Sequence, residues 1–418
     1  MANNNKHTGP NVPALRFPEF SGEWECVPLS TYAKKITEKN KGNKIKNVLC
    51  NSATQGIVPQ SEYFDREIAN NENTDGYYVV RNQDFVYNPR KSVSAPYGPV
   101  NIYNGEDDGI ISPLYLCMKI KGIDKNYLLH YFKSPAWYPY IYQNGDSGVR
   151  HDRVSIKDEV FLAMPVPVPN GDEQRKIAKF LDAINERIAT QSKIIEELTT
   201  LRSALYDSMF CSPEQEMPKF RIQSFSGKWQ LRKLNEICSR KSIKNKDNLY
   251  SRVLTIAAQH GLVDQESFFK KRIASENLES YLCLEKGDFA YNKSYSSDYP
   301  WGAVKRLSNF DKGIISPLYI CFTPKPKVVD PDYLAHYFES TKWHSGISEI
   351  SGEGARNHGL LNMSVIDYFN TCHRIPSLDE QKAIARRLNA IAHKLQTEQE
   401  YLELLNRQKD CFLKQMFI

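Results

Sequence analysis

The chain is written twice, and that repeat limits its fold more than any other feature. Pro13-Ala-Leu-Arg16-Phe-Pro-Glu-Phe20-Ser-Gly22-Glu-Trp24 returns 205 residues later as Pro218-Lys-Phe-Arg221-Ile-Gln-Ser-Phe225-Ser-Gly227-Lys-Trp229. Gly109-Ile-Ile-Ser-Pro-Leu-Tyr115 returns from Gly313 to Tyr319, and Tyr127-Leu-Leu-His-Tyr-Phe132 returns from Tyr333 to Phe338. Asp172-Glu-Gln174 reappears as Asp379-Glu-Gln381 at an offset of 207, so the drift between copies amounts to small loop insertions. Two long copies are a domain duplication, whereas a solenoid stacks many short ones.

Each copy has two parts. The first mixes short apolar runs with Gly, Pro, Asn and Asp, which reads as strands, turns and short helices. Within it, Ile111 to Cys117 and Ile315 to Cys321 read as buried strands, and Tyr127 to Phe132 and Tyr333 to Phe338 as a helical turn packed on them. The second part reads as one long helix. Apolar positions fall at Ile177, Leu181, Ile184, Ile188, Ile195 and Leu198, and again at Ile384, Leu388, Ile391, Leu395, Leu402 and Leu405. Steps of four and three are the heptad seam of a coiled coil. Gln191 and Glu398 break the two seams near their middles, and an antiparallel pairing brings these two together to fix register. Asn170-x-x-Glu173 and Ser377-x-x-Glu380 read as capping boxes at the helix starts. At ~1.5 Å per residue such a helix is a rod on the order of 55 Å, a spacer between two domains.

No familiar catalytic motif is present. There is no G-x-x-x-x-G-K-[ST] loop and no G-x-G-x-x-G after a strand. Asn88-Pro-Arg-Lys91 lacks the second proline and the aromatic of an amino-methyltransferase loop. Glu380-Gln-Lys382 is better explained by a helix start than by a nuclease site. His130, His336, Cys117 and Cys321 fall on apolar segments and read as packing residues. Nine cysteines with no C-x-x-C pair argue against a disulfide framework or zinc ribbon, so neither catalytic nor metal-ligating residues are expected. With 41% hydrophobic and 25% charged residues the composition is that of a globular protein. No apolar run approaches the ~20 residues of a membrane span, and the start Met1-Ala-Asn-Asn-Asn-Lys-His lacks a signal core. A cytoplasmic protein is expected.

The net charge is only +6, but the cations are clustered. Lys34, Lys35, Lys39, Lys41, Lys44 and Lys46 crowd one region of the first copy, and Arg240, Lys241, Lys244 and Lys246 the matching region of the second. Recurrence at matched positions points to phosphate contacts. After the shared Asp-Phe-x-Tyr-Asn (Asp84 to Asn88, Asp288 to Asn292) the copies diverge into Pro89 to Tyr97 and Lys293 to Tyr299, mixtures of cations, hydroxyls and aromatics of the kind that read base edges. Gly148-Val-Arg150 and Gly354-Ala-Arg356 present an arginine on small-residue turns, and Gln55 and Gln259 sit in a further pair of matched turns. Two similar scaffolds with different loops, held apart by a rod, fit two different short DNA elements with unread bases between them.

Taken together, these residues resemble the specificity (S) subunit of type I restriction–modification enzymes. The resemblance rests on the Pro13 to Trp24 and Pro218 to Trp229 openings, on Gly354-Ala-Arg356-Asn, on Ile375-Pro376, and on Glu380-Gln381 leading into a long helix, and it covers almost the whole chain. It implies an α+β fold of two similar α/β target-recognition domains, residues 1–169 and 213–376, separated by helices at 170–212 and 377–418 that form an antiparallel coiled coil. Each domain would read half of an asymmetric bipartite double-stranded DNA target. The helices would dock two modification (methyltransferase) subunits that methylate adenine with S-adenosylmethionine. Restriction subunits using ATP and Mg would join them, and the chain itself would be non-catalytic. The roles implied are phosphate contacts for the two lysine clusters and for Arg90, Lys91, Lys293 and Lys305, and base contacts for Asn88, Asn292, Tyr295, Arg150 and Arg356. Ser147-Gly-Val-Arg150-His departs from the family's Gly-x-Arg-x-Asn, which puts Arg150 second to Arg356. A stand-alone DNA-binding regulator would instead bind DNA tightly without a methyltransferase, and a coiled-coil protein adaptor would show no DNA motif that follows its loops.

Overall fold

The computed structural model describes residues 11–63, 74–145, 152–271, 277–296, 298–351 and 359–418. The chain forms two compact units: unit 1 is Met1–Ser192 with Tyr401–Ile418, and unit 2 is Lys193–Glu400. Both long helices, Gly171–Met209 and Leu378–Gln415, therefore start in one unit and finish in the other.

The two units repeat one sheet topology. In unit 1, Glu25–Pro28 pairs antiparallel with Pro165–Val168. A second, all-antiparallel sheet runs in the order Ala33–Lys35, Leu116–Ile120, Phe85–Tyr87, Val100–Ile102. A third runs Gly56–Pro59, Val48–Ser52, Gly109–Ile111, Tyr78–Val80, with its one parallel pair between Val48–Ser52 and Gly109–Ile111. Unit 2 repeats this order, again with one parallel pair, between Val253–Ala257 and Lys312–Ile315. Strand Phe85–Tyr87 shows why Phe-x-Tyr recurs. Alternate side chains point to opposite faces, so Phe85 and Tyr87 enter the core under the helices while Val86 enters the core between the sheets. Phe289, Tyr291 and Ala290 do the same in unit 2.

The run expected as one strand from Ile111 to Cys117 is two strands in two sheets. Ser112-Pro113 stops the first strand, the Tyr115 N–H turns back onto Ser112 O at 3.1 Å, and Leu114 is left exposed. Proline cannot supply the ladder N–H, and the matched Ser316 to Tyr319 turn repeats the break.

The helices have 39 and 38 residues, with no glycine or proline after the first position. Every expected seam residue is buried or half-buried, Gln191 among the buried ones. Glu398 is half-buried and pairs with Lys394 one turn earlier. In unit 1 the start of one helix packs antiparallel on the end of the other: Phe180 meets Phe412 at 5.0 Å, and the Arg187 guanidinium lies over the Tyr401 ring at 5.4 Å. Leu413, Met416 and Phe417 complete the unit 1 core, as Met209, Phe210 and Cys211 complete that of unit 2.

Helix starts are held differently from a capping box. Asn170 Oδ1 and Ser377 Oγ do accept the N–H of Glu173 and Glu380, at 3.0 and 3.4 Å. The glutamate side chains, however, do not turn back onto the cap. Arg16 Nε and Nη2 donate to the two Glu173 oxygens at 2.7 and 2.8 Å, and Trp24 Nε1 donates to Oε1 at 3.3 Å. Arg221, Trp229 and Glu380 repeat the clasp at 2.9, 2.8 and 3.3 Å. Arg16 also donates to Gly22 O and Arg221 to Gly227 O. This accounts for the arginine and tryptophan shared by the two openings: a buried carboxylate needs a bidentate, hydrogen-bonded cation. The next residue is also committed. Gln174 accepts the Asp124 N–H at 2.9 Å and Gln381 the Asp330 N–H at 2.8 Å, which ties the recurrent helices Lys125–Lys133 and Pro331–Glu339 to the long ones. His130 and His336 complete that attachment through Asp182 at 2.8 Å and Asn389 at 2.7 Å, as satisfied packing residues.

Candidate nucleic-acid interface

The sequence between the shared anchors is the variable part, and its loops are built alike in both units. Residues 88–98 form the first. Asn88 Nδ2 donates to Asn51 O at 2.9 Å while Asn88 Oδ1 accepts the Arg90 N–H at 3.0 Å. Tyr87 OH donates to Tyr97 O at 2.9 Å and closes the other end. Gly98 is required there: its φ is +84°, and a Cβ would stand 2.0 Å from Asn88 O. In unit 2, Tyr291 OH donates to Trp301 O at 2.9 Å, and a Cβ on Gly302 would meet Asn292 O at 2.2 Å. Each loop carries a hairpin tip, Ser92 to Ala95 and Ser296 to Tyr299, closed by reciprocal backbone bonds of 3.0–3.2 Å. Val93 at the first tip is fully exposed.

Segments from later in the chain brace each loop. Val154 N–H donates to Pro89 O at 2.8 Å and Lys91 N–H to Asp152 O at 2.9 Å. Leu361 N–H donates to Lys293 O at 2.9 Å and Tyr295 N–H to Gly359 O at 3.1 Å. Arg150 and Arg356 lie outside the described residues. The Gln55 and Gln259 turns stand at the same end as the loops, since they follow the strands that end beside Asn88 and beside Tyr299, whose OH donates to Ala258 O at 3.3 Å.

The lysine clusters fold into a second repeated device. Each is a six-residue loop wrapped around a buried asparagine: Asn40 Nδ2 donates to Ile45 O and Asn40 Oδ1 accepts the Ile45 N–H, both at 2.9 Å. Asn245 does the same with Tyr250, also at 2.9 Å. Left-handed residues stand at matched places, Gly42 and Asn43 in one loop, Asp247 and Asn248 in the other. Lys39, Lys41, Lys44, Lys46, Lys244 and Lys246 are exposed on these loops. Lys244, Lys246 and Lys312 line an open cleft of about 730 Å³ with Tyr250 and Leu249.

The structure does not gather all these residues into one patch. The lysine loops lead into strands Val48–Ser52 and Val253–Ala257, and the variable loops stand at the other end. Five residues at ~3.3 Å each separate the two features by roughly 17 Å. Four expected contacts need correction. Asn88 is buried with both amide atoms committed to the backbone, and Asn292 Oδ1 accepts the Ser294 N–H at 3.0 Å. Both asparagines brace their loop. Lys241 lies 3.0 Å from Asp288 and Lys305 2.6 Å from Glu339, with little side-chain exposure, so their charge is answered inside unit 2. Arg90, Gln55 and Gln259 are exposed, and Lys91, Lys293 and Tyr295 half-buried, at the loop end. Sequence reasoning did not single out Tyr142, whose exposed ring lines a cleft of about 430 Å³ with Lys91, Pro96 and Tyr97 beside the first loop. The signal available was an aromatic-rich stretch, Trp137-Tyr-Pro-Tyr-Ile-Tyr142.

Residues 23–200 match the family model described as Type I restriction modification DNA specificity domain. The chain is 24% identical over 417 residues to the type I restriction enzyme MjaVIII specificity subunit of Methanocaldococcus jannaschii, covering 94% of this chain and 91% of that one. Residues 23–200 thus match that domain, and the chain as a whole is similar to type I restriction–modification specificity subunits. Solved structures agree on the fold. The S subunit of a type I system from M. genitalium aligns over 97% of this chain and 99% of its own at TM-score 0.54 and 15% identity. A chain from a study of complex assembly and conformational transition of the type I R-M system covers 96% and 99%, at TM-score 0.56 and 14% identity. The matched domain is described as one of DNA specificity, which agrees with a DNA-reading rather than a catalytic reading of the loops. Burial pushes the Cys117 and Cys321 thiols up to about 12. Among the described residues no helix is long and apolar enough to cross a membrane.

Proposed function

We propose that unit 1 and unit 2 each read one half of an asymmetric, split double-stranded DNA site. In this reading the two long helices set the unread gap and dock two methyltransferase subunits. The observation that carries it is the contrast within each unit. The tyrosine and glycine closures of the 88–98 and 292–302 loops match, while the residues the loops present differ. A scaffold kept constant around altered contents is what two different half-sites require, since phosphate contacts position a reader and base contacts specify.

Arg90, Lys91 and Lys293 then meet phosphates beside the bases read, and the exposed lysine loops meet the backbone further along the duplex. Partner subunits supply S-adenosylmethionine-dependent adenine methylation, and ATP- and Mg-dependent restriction subunits complete the assembly. Gln191 and Glu398 hold the helix register, so a Gln191→Leu, Glu398→Leu double variant should lose uniform pairing. The decisive experiment maps adenine methylation across the genome with and without this gene. One bipartite motif should disappear with the gene, and an unchanged methylome would refute the proposal. Tight, motif-specific DNA binding by the chain without methyltransferase subunits would favour a stand-alone regulator.

A further inference from the structure

Three matched positions carry opposite charge arrangements in the two units. In unit 2, Lys305 pairs with Glu339 at 2.6 Å, and its ammonium stands 5.9 Å from the ring centroid of Tyr299 at the loop tip. Arg202 of the long helix acts on the Tyr206 and Tyr299 hydroxyls together with Glu339, and Asp298 acts on Tyr299 as well, so carboxylates and cations are mixed there. In unit 1 strand register puts Asn101 where Lys305 stands, opposite Val86 as Lys305 is opposite Ala290. Lys133 ends helix Lys125–Lys133 as Glu339 ends Pro331–Glu339, and Lys409 replaces Arg202. The carboxylate has become a second cation.

Among the described residues no carboxylate pairs with Lys133. Lys133 Nζ donates to Asn101 Oδ1, a neutral acceptor, at 2.5 Å. Asp182 is committed to His130 at 2.8 Å and Asn126 at 3.0 Å, and Asp410 offsets part of the charge of Lys409 alone. Solvent reaches Lys133, so a ligand can too. Asn101 also connects the pair to the variable loop. Its Nδ2 donates to Asn51 Oδ1 at 2.6 Å and Ser52 O at 2.9 Å, and Asn51 O accepts from Asn88 at 2.9 Å. Ile256 and Ala257 occupy the Asn51 and Ser52 positions in unit 2, which has no such chain of amides.

We propose that Lys133 and Lys409 form an anion site in unit 1 that holds one backbone phosphate of the DNA beside the 88–98 loop. The site rests on the DNA-reading role proposed above. It commits to a phosphate because the amide chain leads from the pair to the loop that reads DNA. Burial and the facing Lys409 bring Lys133 down to about 8, and burial also lowers Lys409. A bound phosphate removes that repulsion, and two ammonium groups on one phosphate give charge-assisted hydrogen bonds.

The test uses the chain assembled with its modification subunits and a fluorescent duplex carrying the motif found by methylation mapping. Kd is measured against KCl concentration for wild type, Lys133→Gln, Lys409→Gln and the double variant. The double variant should bind roughly tenfold more weakly, with a salt slope reduced by about 0.9, the value of one phosphate. The methylated motif should not change, and Tm should not fall, because removing a repelling cation relieves the fold. An unchanged slope overturns the site. So does loss of subunit assembly without DNA in analytical ultracentrifugation, which would assign the pair to a protein carboxylate. If the wild-type complex does not prefer its motif to a scrambled duplex, the DNA-reading role falls first and the site with it.

Discussion

Unit 1 fills the space beside its variable loop with amides, where unit 2 places Ile256, Ala257 and an ion pair between Lys305 and Glu339. Elsewhere the exchange runs the other way. Val166, buried in the two-stranded sheet of unit 1, is replaced in unit 2 by His373, which bonds Tyr337 OH at 3.1 Å and Thr371 Oγ1 at 2.8 Å. Tyr138 of unit 1 gives way to His344. The Arg–Glu–Trp clasps, the glycine closures and the asparagine-centred loops do not change at all. One backbone thus tolerates quite different interiors at these positions, where Asn51, Asn101 and His373 each keep a partner. It does not tolerate change at the points that join sheet, helix and loop.

The largest effect should come from exchanging the parts that differ. Replacing residues 89–97 by the nine residues 293–301 should abolish recognition of one half-site and leave the other half and the gap unchanged, as read by methylation mapping. Loss of both halves would show that the units do not read independently. Next come the parts that do not differ. Glu173→Ala or Glu380→Ala leaves a desolvated arginine, and each should cost about 3–5 kcal/mol in urea unfolding. Unequal losses would break the equivalence of the two clasps.

Acid should separate the units by a smaller amount. Burial holds His373 and His344 down at about 4, against ~6.5 in an unfolded chain. As pH falls below ~6.5 the unfolded state takes up protons that folded unit 2 refuses until about 4, so stability is lost across that window. His130 and His336 are shifted down in both units and do not distinguish them. His373→Val, which copies unit 1, should narrow the stability gap between pH 7.5 and 5 by about 2 kcal/mol. The smallest effects belong to the exposed lysine loops. Lys41→Ala and Lys246→Ala should each leave stability within about 0.5 kcal/mol and reduce the salt slope of DNA binding by about 0.9. A stability loss in either would mean that the loop cations serve the fold.

The duplication, the long helices and their seams were legible because they are periodic, and periodicity survives without knowing any partner. Residues that act across long separations were misread. Glu173 looked like a cap because Asn170 is three residues away, whereas its charge partner Arg16 is 157 residues away. Lys241 and Lys305 looked like DNA contacts because Asp288 and Glu339 are distant in sequence. The run from Ile111 to Cys117 hid a turn, since the residue exposed after Pro113 is the apolar Leu114, which gives no polar signal. In the variable loops, sequence marked the position but not the division of labour, in which Asn88 supports what Arg90 and Lys91 present.

The shared helices also impose an order of assembly. Leu413, Met416 and Phe417 belong to the core of unit 1, yet they are synthesised after the whole of unit 2. Domains generally fold as they leave the ribosome, N-terminal first. Here the half made first must wait with an open core, while Met209 and Phe210 are already in place when the rest of unit 2 emerges. The second half can close at once, and its completion delivers the helix that seals the first.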